Sequence, residues 1–248
     1  MSEIKLLHIS NYPISEKKCW NNGISFIEKG EADFPFSFED SPDVLSSIGR
    51  PFETSLGIIA SNKGSAKRLY DAYRLGLECA LNKTPYMTSY FAKGSGRALL
   101  DGSIEGEGRV MVLLPGGMKC YLGSRRLFSH IVLNDGALVS VFEPDEGVKR
   151  ENNFYNHYLM ENCTFTVFVS LGFWEYNHAL NLLDKGRALF LLRSSLEDRY
   201  ARQLAFEGAP VIDSIGEIIS SPSGYLYEDE KGDYVYDKTH RLSFLKLK

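Results

Sequence analysis

The feature that most constrains this chain is a regular alternation of short apolar runs with amphipathic segments between residues 56 and 212. The runs are apolar throughout, which is typical of parallel strands covered on both faces. The predicted strands are 56–60, 85–89, 109–114, 137–142, 164–170, 188–192 and 209–212. The predicted helices between them are 66–82, 94–104, 125–134, 154–162, 175–185 and 196–207. The alternation predicts an α/β fold, a doubly wound, mostly parallel, Rossmann-like sheet with helices on both faces.

Three stretches of different character divide the chain. Residues 1–54 have no regular pattern, and we expect them to form an extension packed on the core, with the aromatic, proline-broken stretch 34–42 as a packed loop. Residues 55–220 contain the Rossmann-like domain. Residues 221–248 contain two tyrosine-rich runs around a charged turn, at 224–237, which predict a β-hairpin, followed by a last apolar run.

Composition limits the classes of protein to consider. Hydrophobic residues make up 44% of the 248 residues and charged residues 24%, an ordinary globular mixture. The apolar runs are far shorter than the ~20 residues of a membrane helix, and the start of the sequence does not resemble a signal peptide. Four cysteines stand singly, which argues against a disulfide scaffold and fits a reducing cytoplasm. The net charge of −4 means that any nucleic-acid binding must depend on a local basic patch.

The first candidate site is the loop Ser61-Asn-Lys-Gly-Ser65, which joins a predicted strand to a predicted helix. Ligands of doubly wound sheets bind beyond the carboxyl ends of the strands, where the winding reverses. The amides of this loop and the helix N-terminus would hold a phosphate there, assisted by Lys63 and the serine hydroxyl groups. Ser61, Asn62 and Lys63 are therefore predicted phosphate-binding residues. The alternative is a turn with ordinary capping by Ser or Asn.

The second candidate is the loop Phe91-Ala-Lys-Gly-Ser-Gly-Arg97. Its glycines, Gly94 among them, let the backbone approach a ligand closely, and Lys93 and Arg97 suit phosphate oxygens. The alternative is a solvated loop with no ligand.

The third candidate is the turn Pro115-Gly-Gly-Met-Lys119 at the end of the most apolar strand. Gly116 and Gly117 permit close passage of a ligand, although the pair is also typical of a tight turn. The basic residues that would extend a positive rim from these loops, or else are scattered surface charges, are Lys119, Arg125, Arg126, Lys149 and Arg150.

Signatures of catalysis are weak. The five histidines are spread along the chain, and the sequence contains neither G-x-S-x-G nor H-E-x-x-H. Cys120 has no histidine partner that the sequence can assign, and the acidic cluster Glu143, Asp145 and Glu146 is more typical of a solvated loop than of a metal site. We therefore predict no catalytic residue, no metal and no cofactor.

Aromatic residues such as Trp174 would stack on bases or would pack in the core.

The order of these segments resembles that of the DprA/Smf family, DNA-processing proteins of bacterial transformation and recombination. The resemblance spans residues 42–212. Gly57-Ile-Ile-Ala-Ser-Asn-Lys63 stands where the family has a strand and a G-S-R loop. The segment 89–96 is similar to the family's S-G-x-A-x-G-I-D segment, with matches at Ser89, Ala92 and Gly94.

Later motifs follow in the same order. Arg109-Val-Met-Val-Leu-Leu-Pro-Gly-Gly117 is similar to the family's next strand with its glycine turn, and Gly136-Ala-Leu-Val-Ser-Val141 to its G-A-L-L-S-E strand. Asn156 matches the second residue of its R-N pair. Gly186-Arg187 and Gly208-Ala209 stand at the family's late Gly-Arg and Gly-Ala positions.

The resemblance implies a Rossmann-like domain that binds single-stranded DNA in a basic pocket without catalysis, passes it to the RecA recombinase, and forms homodimers. It places the DNA-binding or phosphate-binding positions at Lys63, Ser89, Lys93, Gly94 and Asn156. Because phosphate contacts release counterions, such binding would weaken steeply with salt.

Two other functions stay open at this point. The wider superfamily includes LOG-type enzymes, which release the base from nucleoside monophosphates through a P-G-G-x-G-T-x-x-E motif, and Pro115-Gly-Gly-Met-Lys-Cys120 begins that motif but lacks its third Gly and its Thr. The chain is then either a nucleotide sensor or a nucleotide hydrolase on the same fold. The other alternative is a diverged protein with an inactive pocket.

Overall fold

A computed structural model describes residues 23–36, 41–147 and 153–219 and the backbone of 227–228 and 234–235, except for the side chains of 122–127, 153–154 and 219. The strands are β1 (Ser25–Glu28), β2 (Val44–Gly49), β3 (Leu56–Ile59), β4 (Tyr86–Ser89), β5 (Val110–Leu113), β6 (Ala137–Ser140), β7 (Phe165–Phe168), β8 (Ala188–Leu192), β9 (Val211–Ile212), β10 (Tyr227–Glu228) and β11 (Tyr234–Val235). The helices are α1 (Ala66–Leu81), α2 (Gly94–Glu105), α3 (Arg125–Leu133), α4 (Asn153–Asn162), α5 (Phe173–Asp184), α6 (Arg199–Phe206) and α7 (Gly216–Ile219).

A nine-stranded sheet runs through the described part of the molecule in the order β1-β2-β6-β5-β4-β3-β7-β8-β9. The strands from β6 to β9 in this order are parallel, whereas β2 pairs antiparallel with β6 and β1 antiparallel with β2. The chain adds β4, β5 and β6 on one side of β3 and then crosses to add β7, β8 and β9 on the other. The predicted doubly wound, mostly parallel sheet is confirmed.

Two apolar layers cover the sheet. Buried residues of α1, α2 and α3 form one layer with alternate strand residues such as Ile58, and buried residues of α4, α5 and α6 form the other with residues such as Ile59. The four residues of β3 are all buried, as are those of β4, β5 and β6. Burial on both faces explains why these runs are mostly apolar, with Thr88, Ser89 and Ser140 as buried polar residues that hydrogen-bond within the protein.

Strands β1 and β2 correct the expectation that residues 1–54 are irregular. β2 is hidden from sequence patterns because its centre is Ser46 and Ser47, both fully buried. The Ser46 hydroxyl donates to the carbonyl oxygen of Ser140 on β6 at 3.3 Å, so a polar residue is satisfied within the sheet. The aromatic stretch that follows β1 packs as predicted, since Phe36 is buried and stacks on Tyr158 with 5.6 Å between ring centroids.

Helices α1 and α2 meet without side chains between them. A Cβ atom at Gly76 of α1 would overlap the carbonyl oxygen of Leu99, and one at Gly102 of α2 would overlap the carbonyl oxygen of Tyr73. The two helices therefore touch backbone to backbone. This contact fixes the position of the α2 N-terminus, which lies at the carboxyl edge of the sheet.

The remaining elements agree with the sequence to within two residues, with one exception. The predicted helix 196–207 is a 3-10 turn at Arg193–Glu197 followed by α6. Asp198 separates them in an extended conformation, with φ −82° and ψ 137°. Its carboxylate bonds to two other segments, and those bonds override the helical pattern.

The predicted C-terminal hairpin is present in the described backbone, where β10 pairs antiparallel with β11. The last apolar run, at 242–247, lies outside the described residues. Among the helices of the described segments, none has both the length and the apolar character that a bilayer crossing requires.

We expect Gly102→Ala to destabilise the protein by roughly 2–3 kcal/mol, because the added methyl group has to push apart two backbones rather than a flexible side chain. Urea unfolding measures the change. Gly147→Ala is the matched control, since no atom lies within 4 Å of the position that its added methyl group would take, and its effect should stay within about 0.5 kcal/mol. Equal stability of the Gly102 variant and the parent would contradict the close α1–α2 contact.

Candidate functional site

The carboxyl edge of the parallel strands brings the predicted site residues together. The winding reverses between β3 and its neighbour β7, so the loops after these two strands flank the crevice where doubly wound folds bind ligands. The loop after β4 adjoins them on one side and the turn after β8 on the other. Of the residues predicted for the site, Ser89 ends β4 at this edge, and the others lie in a loop at this edge or on a helix that begins there.

The loops that carry Lys63 and Lys93 interlock through their backbones. The amide of Ser95 donates to the carbonyl oxygen of Lys63 at 3.0 Å, and the amide of Gly96 to that of Ser61 at 2.9 Å. The two lysines, both exposed, therefore lie on neighbouring loops, as the phosphate-site hypothesis requires.

Gly94 makes the interlock possible. Its φ is +73°, a left-handed conformation that favours glycine, and a Cβ atom there would overlap the backbone of Asn62. The close approach expected at this glycine is thus made by the protein's own backbone.

These contacts occupy several of the loop amides that we expected to hold a phosphate. Those of Ser95 and Gly96 are bonded to the neighbouring loop, and those of Ser61 and Lys63 to the hydroxyl groups of Ser95 and Ser61. Ser65 caps α1 through its hydroxyl group, which accepts from the Arg68 amide, as the alternative interpretation of this loop predicts. Attraction for an anion therefore falls to the lysine side chains.

Buried ion pairs join α1 to the turn after β8. The Arg68 side chain is 6% exposed, and its guanidinium lies 3.0 Å from Asp198 Oδ1 and 3.3 Å from Glu197 Oε2. Asp198 Oδ2 also accepts from the Leu171 amide after β7 at 3.1 Å, and the Ser65 hydroxyl donates to Glu197 Oε1 at 2.8 Å. Four segments of the edge are fixed to one another here, and the two carboxylates are compensated by one guanidinium.

A second group of hydrogen-bonded polar side chains, from β4, α4 and α5, lies on the other side of the crevice. Asn156, 2% exposed, accepts from the Ser89 hydroxyl through Oδ1 and donates to Glu175 Oε1 through Nδ2, each at 3.0 Å. The structure thus brings together Ser89 and Asn156, which are distant in sequence. It also adds Glu175, a carboxylate that the sequence analysis did not include.

The remaining predicted residues are engaged within the protein. Gly117 packs under the loop after β6 and donates its amide to Glu146 at 2.8 Å, while the Gly116 carbonyl oxygen accepts from Ser140. Arg97 pairs with Asp101 on its own helix at 2.8 Å.

The wider positive rim is only partly described. Lys119 pairs with Asp145 at 2.7 Å, so the acidic loop after β6 neutralises it. The side chains of Arg125 and Arg126, and all of Lys149 and Arg150, lie outside the described residues.

An aromatic surface at the same edge was missed by the sequence analysis, apart from Trp174. Phe173 and Trp174 begin α5 and are 50% and 69% exposed, with 5.5 Å between their ring centroids. Tyr200 at the start of α6 lies 5.7 Å from Phe173, and the Arg199 guanidinium lies over the Tyr200 ring at 5.9 Å. The signal in the sequence was the position of Phe173 and Trp174 soon after the predicted strand 164–170, whereas Arg199 and Tyr200 fall inside the predicted helix 196–207. We call Phe173, Trp174, Arg199 and Tyr200 the aromatic rim.

A shallow cavity of about 350 Å³ continues from the aromatic rim between α5 and α6. Its lining residues are Tyr176, Arg199, Arg202, Gln203, Phe206 and Glu207.

Two histidines that are distant in sequence meet on the outer side of α4 and α5. His157 and His178 have ring centroids 4.0 Å apart, and Glu161 lies beside them. Burial, followed by the nearby His157, lowers the pKa of His178. A signal was present in the sequence, because His157 and Glu161 are four residues apart on a predicted helix and so share one face.

No protein-family model matches the sequence, and no curated protein matches it at a significant level. Solved structures do match. DNA processing protein A (DprA) from Streptococcus pneumoniae superposes with a TM-score of 0.65 and 15% sequence identity, over 79% of this chain and 74% of that chain. The fold is that of DprA. DNA processing protein A from Helicobacter pylori superposes with a TM-score of 0.64 and 16% identity, over 81% of this chain and 96% of that one. The resemblance that the motif order predicts is therefore confirmed for the DprA-like fold.

We expect Asn156→Asp to lower stability by roughly 2–3 kcal/mol at pH 7, because it places a buried carboxylate against that of Glu175. The introduced carboxyl group should bind a proton at a higher pH in the folded state than in the unfolded chain. The loss relative to the parent should therefore shrink as the pH falls from about 7 to 5. Urea unfolding of both proteins across this range measures it.

Ser89→Ala is the control for this variant, because it removes one hydrogen bond of Asn156 without adding a charge. Its cost should be about 1 kcal/mol and independent of pH. A pH-independent loss in Asn156→Asp would contradict the geometry of the Ser89–Asn156–Glu175 chain.

Proposed function

We propose that the protein binds single-stranded DNA across the carboxyl edge of its DprA-like sheet, without catalysis. The observation that carries the proposal is the placement of Lys63 and Lys93 on interlocked loops at the edge where such folds bind ligands, with 3.0 Å between the Ser95 amide and the Lys63 carbonyl oxygen. The Helicobacter pylori protein that shares the fold was solved for its single-stranded DNA binding mode, which supports the same ligand class here.

The charges of the described residues favour the lysines as phosphate contacts. Neither Lys63 nor Lys93 has a carboxylate within 4 Å among the side chains that the structure describes, whereas Arg97 and Lys119 are both paired. The acidic groups at the crevice are engaged, since Glu197 and Asp198 bond to Arg68 and Glu175 bonds to Asn156. Two cations without such a neighbour are thus exposed to a ligand, while the carboxylates, with the Glu197 side chain still 40% exposed, are hydrogen-bonded within the protein.

The aromatic rim favours single-stranded DNA over duplex DNA as the ligand. Exposed aromatic faces stack on unpaired bases, and every base offers a π face, so this contact tolerates any sequence. In duplex DNA these faces are already stacked on neighbouring bases. Phe173 and Trp174 are the exposed residues that would receive bases, with the half-buried Tyr200 packed beside Phe173 and Arg199 adding a cation.

The remaining predicted residues would shape the site rather than contact phosphate through charge. This group comprises Ser61, Asn62, Ser89, Gly94, Gly116, Gly117 and Asn156. Roles in DNA recombination and natural transformation, transfer to the RecA recombinase, homodimer formation and a cytoplasmic location stay predictions that the resemblance implies.

The proposal is tested by fluorescence anisotropy with a labelled oligonucleotide, titrated with protein at ~20 mM and ~200 mM salt. We expect binding at low salt that weakens steeply at high salt, because phosphate contacts release counterions. Absence of binding at ~20 mM salt, where screening is slight, would refute the proposal. Release of free base from nucleoside monophosphates would instead indicate the hydrolase.

The double variant Lys63→Ala with Lys93→Ala should weaken oligonucleotide binding about five- to tenfold at low salt, to a similar extent for all sequences. The slope of log affinity against log salt should fall by about 1.4, since each single-strand phosphate contact contributes about 0.7. The matched control is Lys83→Ala with Lys185→Ala, which removes the same charge from exposed lysines at the opposite edge of the sheet. Similar losses in the two double variants would remove Lys63 and Lys93 from the site.

Trp174→Ala should cost about 1–3 kcal/mol of binding free energy, the contribution of one stacked base. Unlike the lysine variant, it should leave the salt dependence unchanged, because stacking releases no counterions. Leu133→Ala is the control, since Leu133 is 78% exposed at the end of α3, at the opposite edge of the sheet. Unchanged affinity in Trp174→Ala would exclude this residue from the DNA path.

A further inference from the structure

Helices α4 and α5 place three metal-ligating side chains together on the surface, outside the site described above. His157 and Glu161 lie one turn apart on α4, and His178 faces them from α5. One ligand atom of each residue lies within 4.8 Å of the other two. Two of the five histidines in the chain therefore meet beside a carboxylate.

The buried Nε2 of His178 lies 3.2 Å from Glu161 Oε1, which makes an ion pair when the ring is protonated. Among the described residues this nitrogen has no hydrogen-bond partner of good geometry, since its angle toward Glu161 is poor. Buried polar atoms are normally satisfied. A cation between the ring nitrogen and the carboxylate oxygen would satisfy both.

We propose that His157, Glu161 and His178 bind a divalent transition-metal ion, with Zn²⁺ as the best match. Two imidazole nitrogens and one carboxylate oxygen form a zinc ligand set that leaves the fourth tetrahedral position open to water. Calcium and magnesium prefer oxygen ligands alone, so the two imidazoles select against them.

The geometry needs little change to accept the ion. At zinc bond lengths of ~2.1 Å, ligand atoms at two tetrahedral corners lie about 3.4 Å apart. His178 and Glu161 are already 3.2 Å apart, so pairs of ligand atoms that lie within 4.8 Å would close by at most about 1.4 Å. His157 is exposed, and this side chain is free to make that adjustment. The ion would join α4 to α5 at a second point besides the Asn156–Glu175 hydrogen bond at the carboxyl edge. Metal binding should therefore raise stability without altering the lysine loops.

The test uses the untagged full chain, stripped with chelator and titrated with ZnCl₂ by calorimetry, and with CoCl₂ by visible absorption. We expect one ion per chain, a Co²⁺ spectrum typical of four or five ligands, and a rise in melting temperature with Zn²⁺. Glu161→Gln and His157→Ala should each weaken zinc binding by more than about tenfold, at least the loss that second-shell changes cause. Both changes are at the surface, so the fold should persist, and melting in chelator checks this.

The control is the triple variant His8→Ala, His130→Ala and His240→Ala, which removes every other histidine and should bind Zn²⁺ as the parent does. Absence of stoichiometric zinc binding in the parent would overturn the proposal. Parent-like affinity in Glu161→Gln and His157→Ala, or loss of binding in the triple variant, would also overturn it. DNA binding is measured separately, so failure of the metal site leaves the proposed function untouched.

Discussion

The candidate site depends on the interlock between the loop after β3 and the start of α2. The carbonyl oxygens of Ser61 and Lys63 accept the amides of Gly96 and Ser95, so two amides in the first turn of α2 are satisfied by protein rather than left for a ligand. Gly94 permits this because its backbone is left-handed and a side chain there would overlap Asn62. The consequence is that the site differs from phosphate loops that hold an anion with bare amides. Two loops are fixed at close range, and their exposed lysines supply the charge.

The described charges at the carboxyl edge are separated, with carboxylates around Arg68 and exposed lysines on the loops after β3 and β4. Arg68 is buried between Glu197 and Asp198, which keeps those carboxylates turned toward α1. Removal of Arg68 or of one of these carboxylates would leave a charge without its partner and would lower stability. The three residues therefore act as one structural unit. The net charge of −4 is thus a poor guide to the local field. Lys63 and Lys93, without carboxylates within 4 Å among the described side chains, determine that field at the ends of β3 and β4.

The sequence predicts the elements that depend on burial of a local apolar run, and it misses those that depend on contacts between distant residues. Burial on both faces makes β3 to β8 mostly apolar, so these strands and the helices between them were predictable. β2 was not, because Ser46 and Ser47 are satisfied by partners 94 residues or two residues away rather than by an apolar pattern. The break at Asp198 has the same origin, since its carboxylate bonds to Arg68 and Leu171. Within the site, Lys63 and Lys93 were predictable from loop position, whereas the bond of Asn156 to Glu175 depends on tertiary packing.

At this edge, the residues that would contact phosphates are separated from those that would stack on bases. The lysine loops lie at the ends of β3 and β4, and the aromatic rim lies at the ends of β7 and β8, with Glu197 and Asp198 between them. A strand that crosses the edge would meet cations first and aromatic faces next. Between these points its phosphates would have to face solvent, because the carboxylates near Arg68 repel them even when paired. That constraint favours a flexible, unpaired strand, whose backbone can turn outward while its bases turn toward Phe173 and Trp174, over a rigid duplex.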